Sequence, residues 1–178
     1  GTIVNADIAS GAAIAGTKLA NPGKVLQVVS VTKTDTFSSS SILTGITGLS
    51  ATITPTSTSS KILISYHIAY DSTRSNGGGG YRIYKNGSHV TASSGDVAGQ
   101  RYTVNSGYAA NANADQSMLH NSGSYLDTPS STSALTYQMY QTQDGTGYTT
   151  YINRARADPD QGDDGRAAST ITLMEIGA

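Results

Sequence analysis

The apolar positions of this chain change their spacing near residue 23. In the opening TIVNADIASGAAIAGTKLANPG, the large apolar residues Ile3, Ile8, Ile14 and Leu19 stand five, six and five apart. That spacing matches neither the period of two of a strand nor the roughly 3.6 of a lone amphipathic helix. From Val25 onward, short runs rich in Val, Ile, Thr and Tyr are punctuated by Gly, Pro, Asn and Ser, the pattern of an all-β domain. The boundary falls at Asn21-Pro22-Gly23 and divides the chain into a segment, 1–22, and a domain, 23–178.

Within the domain, VLQVVSVTKTDTF (25–37) reads as a first strand, with Leu26 and Val28 on one face and Val29 and Val31 on the other. In GLSATITPTSTSSKILISYHIAY two strands flank a Ser/Thr turn, and Ile62, Ile64, Tyr66, Ile68 and Tyr70 alternate cleanly. That face belongs to the core. The opposite face, Leu63, Ser65, His67 and Ala69, suits an intersubunit surface as well as solvent. GYRIYKNGSHV is a hairpin signal, because Asn86-Gly87 accepts the positive φ angles of a type I′ turn. Residues 92–127 are long and polar, with short strands expected at QRYTVNSGY and QSMLHNS. A second hairpin is expected around Asp144-Gly145, with Leu135, Tyr137 and Met139 alternating before it, and STITLMEI closes the domain. Strands of this number and length predict an antiparallel β-sandwich, jelly-roll-like.

Composition narrows the function classes. Charged residues make up 13% of the 178, about half of the usual share of roughly 25%, so Ser, Thr, Asn, Gln and Gly must cover the surface. A net charge of −1 with scattered Lys and Arg gives no pull on nucleic acid or anionic lipid. Cysteine is absent, which removes disulfides, zinc-thiolate sites and a thiol nucleophile. No apolar run approaches the 18 or so residues of a membrane-spanning helix, and no signal-peptide pattern precedes the first strand. The chain starts at Gly1 and is expected to be the C-terminal part of a longer polypeptide.

Taken in order, GKVLQVVSVTKTDTFSSSS, ITGLSATITPTSTSSKILI, the YRIYKNG hairpin, LDTPSSTSALTYQMY, YINRA and STITLMEIGA resemble the C-terminal domains of tail-fibre and other virion structural proteins of tailed bacteriophages, especially those of cyanobacteria and marine bacteria. IVNADIASGAAIAGTKL is similar to an element that precedes such domains. The resemblance implies a homotrimeric fibre ending in a β-rich knob that touches the host surface, joined upstream to other virion proteins. It transfers no binding residues, since tip loops vary most. Three chains wrapped on a common axis would bury Ile3, Ile8, Ile14 and Leu19 against one another. A short helix capped by Asp7 is the competing local picture. Either way residues 1–22 are expected to be an intertwined or helical trimerisation segment.

Candidate chemistry is sparse. RADPDQGDDG places Asp158, Asp160, Asp163 and Asp164 close together, and clustered carboxylates with Gly suit a hard cation such as Ca2+. The spacing departs from the EF-hand because Gly162 stands where an oxygen ligand belongs. A solvated turn with no cofactor is the simpler expectation. His67, His89 and His120 are distant in sequence and lack His-x-His or His-Glu-x-x-His spacing, so a zinc site within one chain is not supported. Asp96 and Asp127 are the carboxylates weighed for glycoside cleavage, but that chemistry needs two carboxyls at a set separation around a sugar-sized cleft, and no nucleophile-elbow motif is present. NGGGGY (76–81) lacks the Lys-Ser/Thr ending of a phosphate loop.

Aromatic usage is more telling: eleven Tyr, one Phe and no Trp. Tyr suits binding surfaces and half-buried strands alike. Tyr66, Tyr70, Tyr84 and Tyr137 are assigned to structure by their strand positions. Tyr102, Tyr108 and Tyr125, with Arg101, Asn111 and Asn113, are the expected contact surface. The expectation is a non-enzymatic, homotrimeric fibre-tip adhesin of the virion that binds a host glycan or outer-membrane component. A non-adhesive virion or head-decoration fibre, a polysaccharide depolymerase and a free-standing carbohydrate-binding module are its rivals.

Overall fold

The computed structural model describes residues 23–73, 78–109, 118–161 and 165–177. The strands are β1 (Val25–Lys33), β2 (Phe37–Ser39), β3 (Leu43–Ile53), β4 (Lys61–Ser72), β5 (Gly78–Lys85), β6 (Ser88–His89), β7 (Ser106–Ala109), β8 (Leu119–Asp127), β9 (Leu135–Gln143), β10 (Thr150–Ile152) and β11 (Ser169–Ile176). A 3-10 turn at Thr91–Ser93 is the only helical element among the described residues.

All pairings are antiparallel and make two sheets. In the first, β1, β11, β4 and β8 lie side by side, while β10 and β2 extend it beyond the end of β11 along β4. The second runs β3, β9, β5, and the far edge of β5 is shared by β7 and β6. Taking β6 and β7 as one broken strand, eight principal strands run 1-8-3-6 in one sheet and 2-7-4-5 in the other. That order is a jelly roll.

The core lies between the sheets. Ile62, Ile64, Tyr66, Ile68 and Tyr70 of β4 point into it as the alternation requires, and Ile171 and Leu173 of β11 extend their layer. Ile53 of β3, Ile83 and Tyr81 of β5, and Tyr137 and Met139 of β9 face them from the second sheet. Each buried Ile- or Leu-sized side chain contributes about 1.5–3 kcal/mol relative to exposure. Asn86 (φ 50) and Gly87 (φ 80) carry the expected primed turn, and Lys85 pairs with Ser88 across it.

The Asp144-Gly145 turn is not a hairpin. β9 pairs with β3 and β5, whereas β10 pairs with β4 and β2 in the opposite sheet. Local turn chemistry marks a reversal without saying whether the chain pairs with itself or crosses to the other layer.

Asp127 is buried and serves structure: its Oδ2 accepts hydrogen bonds from Tyr137 Oη at 2.6 Å and Lys85 Nζ at 2.7 Å. Burial, together with the hydrogen bond and charge of Asp127, pushes the Tyr137 phenol well above its usual range. Glu175 is fully buried on the inward side of β11. Its Oε1 accepts from the backbone N and Oγ1 of Thr56, both at 2.7 Å, and its Oε2 accepts from Gln27 Nε2 at 2.6 Å. The carboxylate thus holds the β3–β4 loop against β1 and β11. Burial alone would raise its pKa, but the bonds from Thr56 and Gln27 prevail and hold it below the ordinary 4.5.

A depressed folded pKa gives stability that is full above the unfolded value and is lost as pH falls through the lower folded one. Denaturant titrations should therefore show stability declining below about pH 4.5. Glu175→Gln should cost about 2 kcal/mol at pH 7 and clearly less at pH 3. An unchanged cost across that range would remove the charged Glu175 from this role.

Candidate ligand-binding site

An open cavity of about 750 Å³ lies at one end of the sandwich. Its wall combines the backbone of Gly78 and Gly79 at the start of β5, residues 98–102 and Val104 from the β6–β7 connection, and Asp144 from the β9–β10 turn. Gly80, the next residue of β5, sets how closely the connection bearing Val104 lies against that strand. A Cβ at Gly80 would stand 2.6 Å from Val104 Cγ1 and 2.7 Å from the Ser106 carbonyl oxygen, so only glycine lets the connection approach β5 this closely.

Residues 93–107 are fixed at their base and exposed at their tip. Tyr81 O accepts from Asn105 N at 2.8 Å, Thr103 O accepts from Arg82 Nε at 2.6 Å, and Ser93 O accepts from Asn105 Nδ2 at 2.7 Å. Tyr66 reaches across from β4 and donates to Asn105 Oδ1, beside Ser106 Oγ. Ser106 Oγ donates to Asn121 Oδ1 at 2.5 Å, and Asn121 Nδ2 donates to Gly107 O at 2.9 Å. This cluster ties the two sheets together along their β7–β8 side. Burial raises the Tyr66 pKa, so the phenol stays protonated and remains a donor to Asn105. Gly123 on β8 faces Tyr66, and a Cβ there would collide with the phenol oxygen.

At the tip, a turn through Gly99 (φ 62) lets Ala98 O accept from Arg101 N at 3.3 Å and from Arg101 Nη1 at the same distance. Arg101 and Tyr102 are exposed, Tyr102 at 44%. The arrangement offers a guanidinium fork, a phenol ring, a glutamine amide at Gln100, a carboxylate at Asp144 and glycine backbone around one concave surface. These groups bind polar ligands by hydrogen bonds and ring contact.

Arg101 and Tyr102 are thus brought together. Tyr108 lies on β7 opposite Gly79, next to the cavity wall in register. Tyr125 is elsewhere, on β8 and partly buried against the core. Asn111 and Asn113 lie outside the described residues, as do Ile3, Ile8, Ile14, Leu19, Asp163 and Asp164. Asp158, at φ 44, is engaged by cations of the chain itself: Arg166 donates from Nε to Oδ1 at 2.8 Å and from Nη2 to Oδ2 at 2.6 Å, and Arg154 Nη1 lies 3.3 Å from Oδ2. Asp160 is exposed. No group of three metal-ligating side chains occurs among the described residues.

Sequence reasoning did not anticipate Asp144 and the Gly78-Gly79 backbone as lining, because three separate connections meet only in the folded jelly roll. Tyr84, assigned to structure, stacks on Tyr140 at 3.8 Å and on His89 at 5.5 Å between centroids. No family model matches the chain, and no curated protein matches it.

Tyr66→Phe should remove the hydroxyl that holds Asn105 while leaving the core filled. Stability should fall by about 1–2 kcal/mol, and trypsin should cleave faster after Arg101, read by mass spectrometry. Unchanged cleavage at Arg101 would mean that the tip is held without Tyr66.

Proposed function

We propose that this domain is the binding tip of a bacteriophage tail fibre, a homotrimeric adhesin of the virion that recognises a glycan on the host surface. The observation that carries the reading is the end cavity, where Arg101, Tyr102, Gln100 and Asp144 surround exposed glycine backbone on a rigid jelly roll. An Arg fork with a phenol ring suits the hydroxyls, ring faces and occasional carboxylates of sugars. The low charge of the chain agrees with recognition by hydrogen bonding and contact. The ordered strand and turn motifs that resemble phage fibre domains support the virion setting.

Binding rather than turnover is favoured by the lining itself. Among the described residues it has one carboxylate, Asp144, and no histidine, whereas glycoside cleavage calls for a carboxyl pair. Asp127 is occupied by Tyr137 and Lys85. Three weak, identical sites on one trimer would gain affinity through effective concentration, without a deep pocket.

The test is binding of the purified chain to host cells and to an array of bacterial surface glycans, with its mass measured by light scattering. Arg101→Ala and Tyr102→Ala should each weaken binding by about tenfold. Lys61→Ala, exposed at the start of β4, should leave binding unchanged. Binding that survives Arg101→Ala/Tyr102→Ala would move the site away from this cavity. A monomeric mass would replace the fibre by a free-standing module.

A further inference from the structure

We propose that His67 and His120 form a two-imidazole site for a borderline divalent first-row ion, Zn2+, Ni2+ or Cu2+, on the outer face of the first sheet. The two residues are 53 positions apart, yet β4 and β8 pair so that His67 lies opposite Ser122 and His120 opposite Ala69. They are diagonal neighbours on one face. His120 Nδ1 stands 3.2 Å from His67 Nε2, with the rings 17° from parallel and their centroids 5.0 Å apart.

That separation is the bite of a chelated ion. Two nitrogens about 2.0–2.1 Å from a metal lie about 3.3 Å apart at a tetrahedral angle and about 2.9 Å apart at a right angle. The observed 3.2 Å falls between them. Both ligands sit on paired strands, so the backbone is already in place and only ring rotation at the surface is needed. His120 is exposed and His67 half-exposed, which leaves the ion open to water for its other positions.

The neighbouring serine sets the chemistry. Ser122 Oγ shares a hydrogen bond of 3.0 Å with His67 Nδ1. With the proton on Nδ1, the lone pair of His67 is on Nε2, the nitrogen that faces His120. A tautomeric shift of neutral His120 places its lone pair on Nδ1. The proton that lay between the rings is then carried on His120 Nε2, and the two facing lone pairs are left for the metal. Imidazole pairs suit zinc, nickel and copper, whereas calcium and magnesium prefer oxygen ligands.

The experiment titrates the whole chain with ZnCl2, and separately with NiCl2, at pH 7.5 by calorimetry and histidine-ring NMR. The sequence has three histidines, and His89, paired with Ser94 Oγ and stacked on Tyr84, serves as the internal reference. Saturable binding of one ion per chain is expected, with His67 and His120 resonances moving together and His89 unmoved. His67→Asn and His120→Asn should each abolish it, and Ser122→Ala should weaken it by about tenfold. Cu2+ on the wild-type chain should show two equatorial nitrogens by electron paramagnetic resonance, a reading independent of any variant. Shifts confined to His89, a copper signal with fewer than two nitrogens, or heats unchanged in His67→Asn/His120→Asn would each overturn the proposal.

Discussion

Everything in this molecule hangs on the strict alternation of β4. The strand is hydrogen-bonded along both edges, to β8 on one side and to β11 and β10 on the other. Its period of two sends Ile62, Ile64, Tyr66, Ile68 and Tyr70 inward. A one-residue slip would exchange this apolar set for Leu63, Ser65, His67 and Ala69. The cost of that exchange fixes the register of the whole first sheet, and the second sheet then packs on the layer so formed.

The same alternation separates two kinds of chemistry at consecutive residues. Tyr66 points inward, crosses to the second sheet and fixes Asn105, so the base of the loop carrying Arg101 and Tyr102 is held by the core. His67 points outward and meets His120 of the neighbouring strand. One loop at the end of the sandwich and one pair on its face are therefore both set by the pairing of β4 with its neighbours. Glycine is the counterpart of this ordering: Gly123 makes room for the Tyr66 phenol, and Gly80 for Val104.

The parts that could be read from the sequence were those governed by local periodicity. The strands of 61–72, 78–89 and 169–176, the inward face of β4 and the Asn86-Gly87 turn follow from alternation and turn chemistry within a dozen residues. What could not be read was set by contacts across long separations. The Asp144-Gly145 turn carries hairpin chemistry, but Ile152 finds its partners in Tyr70 and Phe37, and no local signal names them. Tyr125 lies in a polar stretch and looks available, yet the β8 register turns it towards the core. His67 and His120 show no metal spacing because strand pairing, not sequence spacing, makes them neighbours.

This difference explains where polar chemistry concentrates in a chain with so few charges. Buried polar groups are tolerated when each finds partners, and here they cluster where connections meet the core: Glu175 beneath the β3–β4 loop, Asp127 beside Tyr137, Asn105 and Asn121 around Tyr66. Each site holds a connection that carries little apolar surface of its own. The loops at the cavity end can thus be rich in Gly, Ala and Ser without losing their place, because hydrogen bonds at their bases do what hydrophobic burial does for the strands. Side chains at the tip, Arg101 and Tyr102 among them, then stand outside the packed core, where the loop's place does not depend on burying them.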